Sequence, residues 1–352
     1  MYRQGQGPDT EPLSLFDAIL TVLLAGMLAL GGASVRFEES QAVLFCAGSL
    51  TLWAIAQMQP MRRQFQSAEL GGLAIVAIAT TLLHWPPTDA VVVKYFHLYA
   101  LLAGALYVFC GCLLVILTAA YANERTLLWT LTILAMTNAL WPYPGLLLTP
   151  SQSAFLSALA IPIFWSTCRW FIPVSIWNIW NFHSATALLA VLLTGIALCL
   201  LQKEWGLAGL LAIVGAMVVA FLWPGLVAKF ACRVETWPMI LRELAASPWI
   251  GQGMDTSLMS PAVLTSQGWV YRHNDLLTAA RDFGVCIIPF AIALMYKLWR
   301  GASLTQRSTV MIAGLVMFCQ TQAVFPRMML FVCVIIGWCA MRPPEKSPYS
   351  WD

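Results

Sequence analysis

The chain has 352 residues, of which 60% are hydrophobic and only 10% are charged, and its formal net charge at pH 7 is +3. Soluble domains carry about 25% charged residues, so this composition excludes an ordinary soluble globular protein. The small positive charge indicates no nucleic-acid partner, and the cysteines show no metal-ligand spacing. The composition is that of a helical membrane protein.

Apolar runs long enough to cross a bilayer recur along the chain, beginning with Leu15–Leu30, which shows no cleavable signal pattern. We find no internal repeat, so we predict one membrane domain over 1–352. The predicted fold class is an all-α polytopic membrane bundle with about 10–12 transmembrane helices. The ten predicted spans lie near 14–32, 41–57, 70–85, 96–120, 126–142, 184–202, 206–225, 284–299, 308–325 and 328–341.

The segment 153–167 is also apolar, but it is short and is followed by Pro-, Trp- and Asn-rich sequence. Short loops rich in Lys and Arg stay cytoplasmic. If 153–167 does not cross, ten spans place all the basic connections on that side. We therefore expect it to be re-entrant or interfacial, which leaves 143–183 and the loop 226–283 exterior. The cytoplasmic basic residues are then Arg62, Arg63, Arg125, Lys203, Lys297, Arg300, Arg307, Arg342 and Lys346.

The loop 226–283 contains one helical pattern, in which Arg233, Trp237, Leu241 and Leu244 recur at helical spacing. This spacing predicts an interfacial helix whose first turn is restricted by Pro238. Tryptophan is a residue that settles at membrane interfaces. We therefore expect the polar chemistry of the chain at its exterior face.

The stretch GWVYRHNDLLTAARDFG, from Gly268 to Gly284, holds the best candidate for a proton acceptor. The neutral imidazole of His273 can take a proton from a hydroxyl near pH 7, and Asn274 can orient the ring or a substrate group. Arginine supplies a fixed positive charge with forked donors that suit phosphate or diphosphate. The arginines predicted to be exterior are Arg169, Arg233, Arg272 and Arg281.

Three spaced motifs resemble the O-antigen ligase and polymerase family of membrane glycosyltransferases. His273 and Asn274 are followed after nine residues by Gly284, as in that family. Upstream, RVETW is similar to its Arg-x-x-x-Trp element, and PWIGQG at 248–253 to its Pro-x-x-Gly-x-Gly turn. WNFHSATALL, following Arg169, resembles the Asn-x-(Asn/His)-x-x-Ala element of its core. The resemblance covers roughly 169–290.

This resemblance implies a C-type glycosyltransferase fold in the bacterial inner membrane, with an active site that faces the periplasm and needs no metal or other cofactor. The donor would be an undecaprenyl-diphosphate-linked glycan, and the acceptor lipid A-core. Arg169 and Arg233 would hold the diphosphate, and His273 would deprotonate or position the acceptor hydroxyl for inverting attack. Further substrate contacts are expected from Asn274, Trp237, Arg272, Arg281, His183 and Asn181.

Other functions remain open at this stage. A polymerase that extends the glycan, or a protein O-oligosaccharyltransferase, would use the same residues. A transporter or flippase of lipid-linked glycans would need arginines in a central cavity and often has repeated halves, and no repeat is present. A non-catalytic assembly subunit would have no need for a histidine at this spacing.

Several candidate residues have simpler interpretations. Arg169 is equally consistent with a basic residue that snorkels to the interface, and His183 with packing. Arg272 and Arg281 are ranked below Arg169 and Arg233, because pairing with Asp275 and Asp282 or contact with lipid headgroups explains them well.

Cys168 and Cys232 each immediately precede an arginine candidate. In an oxidising periplasm they could form a disulfide between the two arginine-bearing segments. The alternative of two unpaired thiols is favoured, because sequence alone does not show that the two residues are adjacent in space.

Overall fold

The structure is a computed structural model that describes residues 15–33, 38–58, 61, 65, 67–84, 91–142, 150–253, 262–265, 268–271, 275–319 and 329–341.

Within the described residues the protein is almost entirely helical, with thirteen α-helices, one 3-10 helix and one antiparallel β-hairpin. Each of the ten predicted spans overlaps a helix, although the bounds differ and residues 320–325 lie outside the described part. Among the described residues, one helix segment, Trp205–Pro224, is long and apolar enough to cross a membrane by length and composition. The elements are α1 (Leu15–Ala33), α2 (Glu38–Ala56), α3 (Ala68–Leu83), α4 (Val91–Tyr121), α5 (Glu124–Leu140), α6 (Pro150–Ser166), the 3-10 helix (Arg169–Phe171), α7 (Ile172–Asn181), α8 (Ala185–Leu201), α9 (Trp205–Ala246), β1 (Ala262–Thr265), β2 (Gly268–Tyr271), α10 (Asp275–Phe283), α11 (Ile287–Gly301), α12 (Leu304–Cys319) and α13 (Met329–Ala340).

Contacts between helices define one end of the bundle, which we call the basic end. Near the C-terminus of α11, Lys297 donates to Glu69 at the start of α3 over 3.2 Å. Ser303 and Gln306 form a capping box that begins α12. Gln306 also donates to the carbonyl of Trp338 near the end of α13 at 2.9 Å. The start of α3, the end of α11, the start of α12 and the end of α13 therefore lie together.

The opposite end, which we call the loop end, holds the segment 247–253 that follows α9. Thr80, near the end of α3, donates its hydroxyl to the carbonyl of Ile250 at 3.3 Å. At the same end, Trp180 of α7 stacks on Phe221 of α9 with ring centroids 5.6 Å apart. A helix rises about 1.5 Å per residue, so the length of α11 alone separates the two ends by roughly 20 Å.

The segment 153–167 forms most of α6, a buried helix that runs from the loop end towards the basic end. Asn138, near the end of α5, bonds to Ser153 and Ser157 at the start of α6. Ser166, at the end of α6, bonds to Thr305 at the start of α12. α6 is apolar on all faces, which favours burial in the core over an interfacial position. The described part of 143–183 therefore extends through the core towards the basic end, and its expected exterior position stays a prediction.

The chain returns after α6 through α7, so α6 and α7 form a helical hairpin with its tip towards the basic end. Asn178 of α7 donates to the carbonyl of Ala139 near the end of α5, at 3.0 Å. Because the hairpin begins and ends at the loop end, it leaves the directions of all other helices unchanged. The expectation of a re-entrant segment agrees with this path.

The predicted span 206–225 matches the apolar segment Trp205–Pro224, but the helix does not end there. α9 continues as one helix of 42 residues to Ala246 and contains both Pro224 and Pro238. Proline removes one hydrogen bond from a helix but need not end it when good helix-forming residues lie on either side. The expected interfacial helix is therefore the second half of α9.

Exposed aromatic residues and basic residues are unevenly distributed along the bundle. Exposed tryptophans and a tyrosine lie near both ends, and exposed aliphatic side chains such as Ile75, Ile133 and Ile213 lie between them. The aromatic residues are Trp129, Trp165, Trp170, Trp205 and Tyr296 towards the basic end, and Trp141, Trp177, Trp180, Trp223 and Trp249 towards the loop end. Basic side chains towards the basic end are Arg125, Arg169, Lys203, Lys297, Arg300 and Arg307.

Candidate functional site

Two of the motifs that carry the family resemblance dock directly onto each other at the loop end. The turn that follows α9 bonds through its backbone to the end of α10. Gln252 N donates to the carbonyl of Arg281 at 2.8 Å, and Gly253 N donates to that of Asp282 at 3.0 Å. In return, Val285 N donates to the carbonyl of Pro248 at 2.7 Å. These bonds join the second half of α9 to the helix that follows His273 and Asn274.

Glycine is required on both sides of this contact. Gly251 and Gly284 have φ of +71° and +77°, in the left-handed region that other residues rarely adopt. A side chain at either position would also overlap backbone: a Cβ at Gly251 would lie 2.6 Å from the carbonyl oxygen of Arg281, and one at Gly284 would lie 2.7 Å from the nitrogen of Ile250. The glycine spacing in the two motifs is thus the spacing that this backbone contact needs.

We expect the substitution Gly284→Ala to lower the free energy of unfolding by about 2–4 kcal/mol, because it adds both a strained φ and a backbone overlap. Thermal unfolding of the purified chain in detergent would measure the loss. Gly71→Ala is the matched control, since Gly71 is exposed on α3 with no atom within 4 Å of an added Cβ. Equal stability of both variants would contradict the docked geometry.

Beneath the docked turn lies a buried charge network that the sequence analysis did not predict. Arg281 is 2% exposed; its Nε donates to Glu243 at 2.5 Å and its Nη1 to Asp282 at 2.7 Å. Glu243 belongs to α9, and its backbone carbonyl accepts the side-chain amide of Gln252 at 2.9 Å. The predicted pairing of Arg281 with Asp282 is confirmed. The prediction of Arg281 as a substrate contact is corrected, because its buried guanidinium holds α9 and α10 together.

The other residues of the resemblance lie on or beside the docked elements. Arg233 and Trp237 belong to α9, where Trp237 is half-buried, and the side chain of Arg233 lies outside the described part of the structure. Arg272, His273 and Asn274 lie outside the described residues, between β2 and α10. Because α10 begins at Asp275 and packs along α9, the structure ties the element that follows His273 to the element that carries Arg233.

Arg169 is not brought to this place. It follows α6 at the tip of the hairpin, towards the basic end, where Ser166 bonds to Thr305. Its Nε donates to the carbonyl of Trp165 at 3.1 Å, and its guanidinium lies 4.9 Å from the centroid of the Trp165 ring. The structure thus does not bring Arg169 beside the docked elements, and a diphosphate held jointly by Arg169 and Arg233 stays an untested prediction. The simpler interpretation of Arg169, as an interfacial arginine, fits its position.

His183 and Asn181 lie at the loop end, after and at the end of α7, and both are exposed. His183 has φ of +48° because it occupies the position after the cap of a Schellman motif. In this motif, Ser184 N donates to the carbonyl of Ile179 at 3.2 Å and His183 N donates to that of Trp180 at 2.9 Å. The motif gives His183 a local structural role, and its expected contact with substrate stays a prediction.

Cys168 carries a free thiol and packs against the apolar cluster that includes Ala135 and Phe164. It lies on the hairpin towards the basic end, whereas the side chain of Cys232 on α9 is outside the described part. In the structure, Cys168 is therefore unpaired. The cysteines and carboxylates among the described residues form no group able to hold a metal ion.

Comparison with known proteins adds no relative. No protein-family model matches the chain, and no curated protein matches it. The resemblance to membrane glycosyltransferases therefore depends on the spaced sequence motifs alone.

Proposed function

We propose that the chain is a polytopic membrane protein whose loop end faces the periplasm. Bands of exposed tryptophan near both ends, with exposed aliphatic side chains between them, are typical of a protein that spans a bilayer. The excess of arginine and lysine at the basic end supports a cytoplasmic orientation for that end. The segment Trp205–Pro224 supports the same conclusion, since it is apolar yet almost wholly exposed.

At this loop end we propose a glycosyltransferase of the O-antigen ligase type, which moves a glycan from an undecaprenyl-diphosphate carrier to an acceptor hydroxyl. The observation that carries the proposal is the contact between the 248–253 turn and Gly284. This contact requires glycine at 251 and at 284, which are glycine positions of the two family-like motifs. It also keeps the element that carries Arg233 beside the element that follows His273.

The proposed reaction assigns different tasks to these two residues. His273 takes the proton of the acceptor hydroxyl as the oxygen attacks the anomeric carbon from the face opposite the diphosphate. The bond from that carbon to the diphosphate oxygen breaks, and the carrier leaves as a diphosphate with Arg233 stabilising its charge. Asn274 and Trp237 are proposed substrate contacts. Lipid A-core is the proposed acceptor.

A transfer assay with the purified, reconstituted chain tests this function directly. Undecaprenyl-diphosphate-linked glycan would be supplied with lipid A-core, free glycan or a hydroxyl-bearing peptide, and the product followed by its mass. We expect glycan to appear on lipid A-core with release of undecaprenyl diphosphate. Movement of intact lipid-linked glycan across liposomes, without transfer to any acceptor, would contradict the enzyme and favour a transporter.

Two arginine variants show whether Arg233, Arg169 or both stabilise the leaving diphosphate. Arg233→Ala should lower the transfer rate by about 10²–10³, the range seen when one preorganised donor to a developing negative charge is removed. Arg169→Ala should leave the rate unchanged, because Arg169 lies at the other end of the bundle. Initial rates at saturating donor would measure both effects. A large loss in Arg169→Ala with none in Arg233→Ala would reverse the assignment.

A further inference from the structure

The arginines towards the basic end share an arrangement that the proposed transfer reaction does not use. The guanidinium of Arg169 lies over the ring of Trp165, and that of Arg307 lies 5.6 Å from the centroid of the Trp299 ring. Each of these arginines also donates its Nε to the carbonyl of the same aromatic residue, at 3.1 Å in both cases. Arg300 lies 5.7 Å from the centroid of the Tyr296 ring.

The Nε bonds fix one edge of the guanidinium in Arg169 and Arg307, and none of the three arginines has a carboxylate partner among the described residues. Two other basic residues differ in this respect. Lys297 is paired with Glu69, and Arg281 is buried between Glu243 and Asp282. Within the described part of the chain, Lys297 and Arg281 thus neutralise protein carboxylates, whereas Arg169, Arg300 and Arg307 do not.

These three arginines belong to one region of the bundle. The bond between Ser166 and Thr305 holds the hairpin tip against the start of α12. Arg169 is three residues beyond Ser166, Arg307 is two residues beyond Thr305, and Arg300 is in the last turn of α11. An arginine side chain is long enough for its head to reach several ångströms from its own backbone. Arg169 and Arg307 thus belong to the two elements that the Ser166–Thr305 bond joins, and Arg300 lies at the end of the helix that precedes α12.

We propose that Arg169, Arg300 and Arg307 bind the phosphate of an anionic phospholipid at the cytoplasmic face. The planar, forked guanidinium matches phosphate oxygens, and stacking on an aromatic ring preorganises it. A lipid is the favoured source of the phosphate because Trp170, beside Arg169, is 91% exposed, and Trp165 is exposed as well. Exposed tryptophan beside arginine is suited to the boundary between headgroups and acyl chains. The proposal rests on the membrane placement given above and not on glycosyl transfer.

Lipid binding by the purified full chain tests this site without donor or acceptor glycan. Native mass spectrometry in a neutral detergent would measure retention of added phosphatidylglycerol, phosphatidylcholine of the same chain length, or inorganic phosphate. We expect selective retention of phosphatidylglycerol, with a loss of affinity of about fivefold for each arginine replaced by glutamine. The triple variant Arg169→Gln, Arg300→Gln and Arg307→Gln should lose about a hundredfold on the same basis.

Two further variants control for misfolding and for nonspecific effects of removing charge. Arg300→Gln alone removes an exposed guanidinium that forms no hydrogen bond with the described residues, so the fold should persist while affinity falls. Arg242→Gln, an exposed arginine at the loop end, should retain lipid as the parent does. Undiminished binding of phosphatidylglycerol by the triple variant would overturn the proposal. Equal retention of phosphatidylcholine, or binding of inorganic phosphate that displaces the lipid, would overturn it as well.

Discussion

Replacing His273 by alanine should lower the rate of glycan transfer by roughly 10²–10⁴, the usual contribution of a positioned general base. The loss should appear in kcat more than in the KM for donor, because proton removal from the acceptor hydroxyl occurs only as the reaction proceeds. Initial rates over a range of donor and acceptor concentrations would separate the two.

His84→Gln is the matched control for this experiment. His84 also lies at the loop end, where it caps α3, and its Nδ1 is 2.8 Å from the carbonyl oxygen of Thr80. Glutamine can retain a hydrogen bond there, so the transfer rate should stay at the parent value. If His273→Ala transfers as fast as the parent on every acceptor, the assigned role of His273 is wrong.

Replacing Arg281 by methionine should destabilise the protein by about 3–5 kcal/mol, because removal of one partner leaves a buried charge uncompensated. The carboxylate of Asp282 is only 4% exposed, and that of Glu243 is 37% exposed. The two carboxylates would repel each other under the docked turn. Unfolding of the purified chain, followed by heat or denaturant, would measure the loss.

Two comparisons show whether this effect comes from the buried network. Arg242→Met changes the neighbour of Glu243 on α9, where the arginine is exposed, and should change stability little. Adding Glu243→Gln and Asp282→Asn to Arg281→Met should restore part of the stability, since removing all the charges together costs less than removing one. A single Arg281→Met variant as stable as Arg242→Met would contradict the network.

The helical elements were largely predictable because apolar runs of sufficient length specify helices whatever their neighbours. The glycine pattern also had predictive value: Gly251 and Gly284 meet because only glycine combines a positive φ with backbone-to-backbone contact. Two features could not be predicted from length and proline content, because packing decides them. α6 is short yet crosses the core, and α9 continues as a helix through Pro224 and Pro238.

The position of Arg169 could not be predicted, because it depends on the direction of α6. Arg169 is 19 positions after Pro150, the first residue of α6, and it lies at the far end of the bundle only because α6 crosses the core, as the burial of 154–160 shows. The network of Glu243, Arg281 and Asp282 was likewise hidden, since residues 38 positions apart meet only after the turn docks. The β-hairpin 262–271 was missed although Trp269, Val270 and Tyr271 are residues that favour strands.

The central claim is that the loop end faces the periplasm and the basic end the cytoplasm, and labelling of cysteines tests it most directly. Cys286, exposed at the start of α11, and Arg300→Cys, at its end in a Cys286→Ser background, would be treated with a membrane-impermeant maleimide in spheroplasts. Cys286→Ser alone gives the background. We expect Cys286 to react in intact spheroplasts and Arg300→Cys only after permeabilisation. The reverse pattern, or equal labelling of both positions in intact spheroplasts, would contradict the proposed orientation.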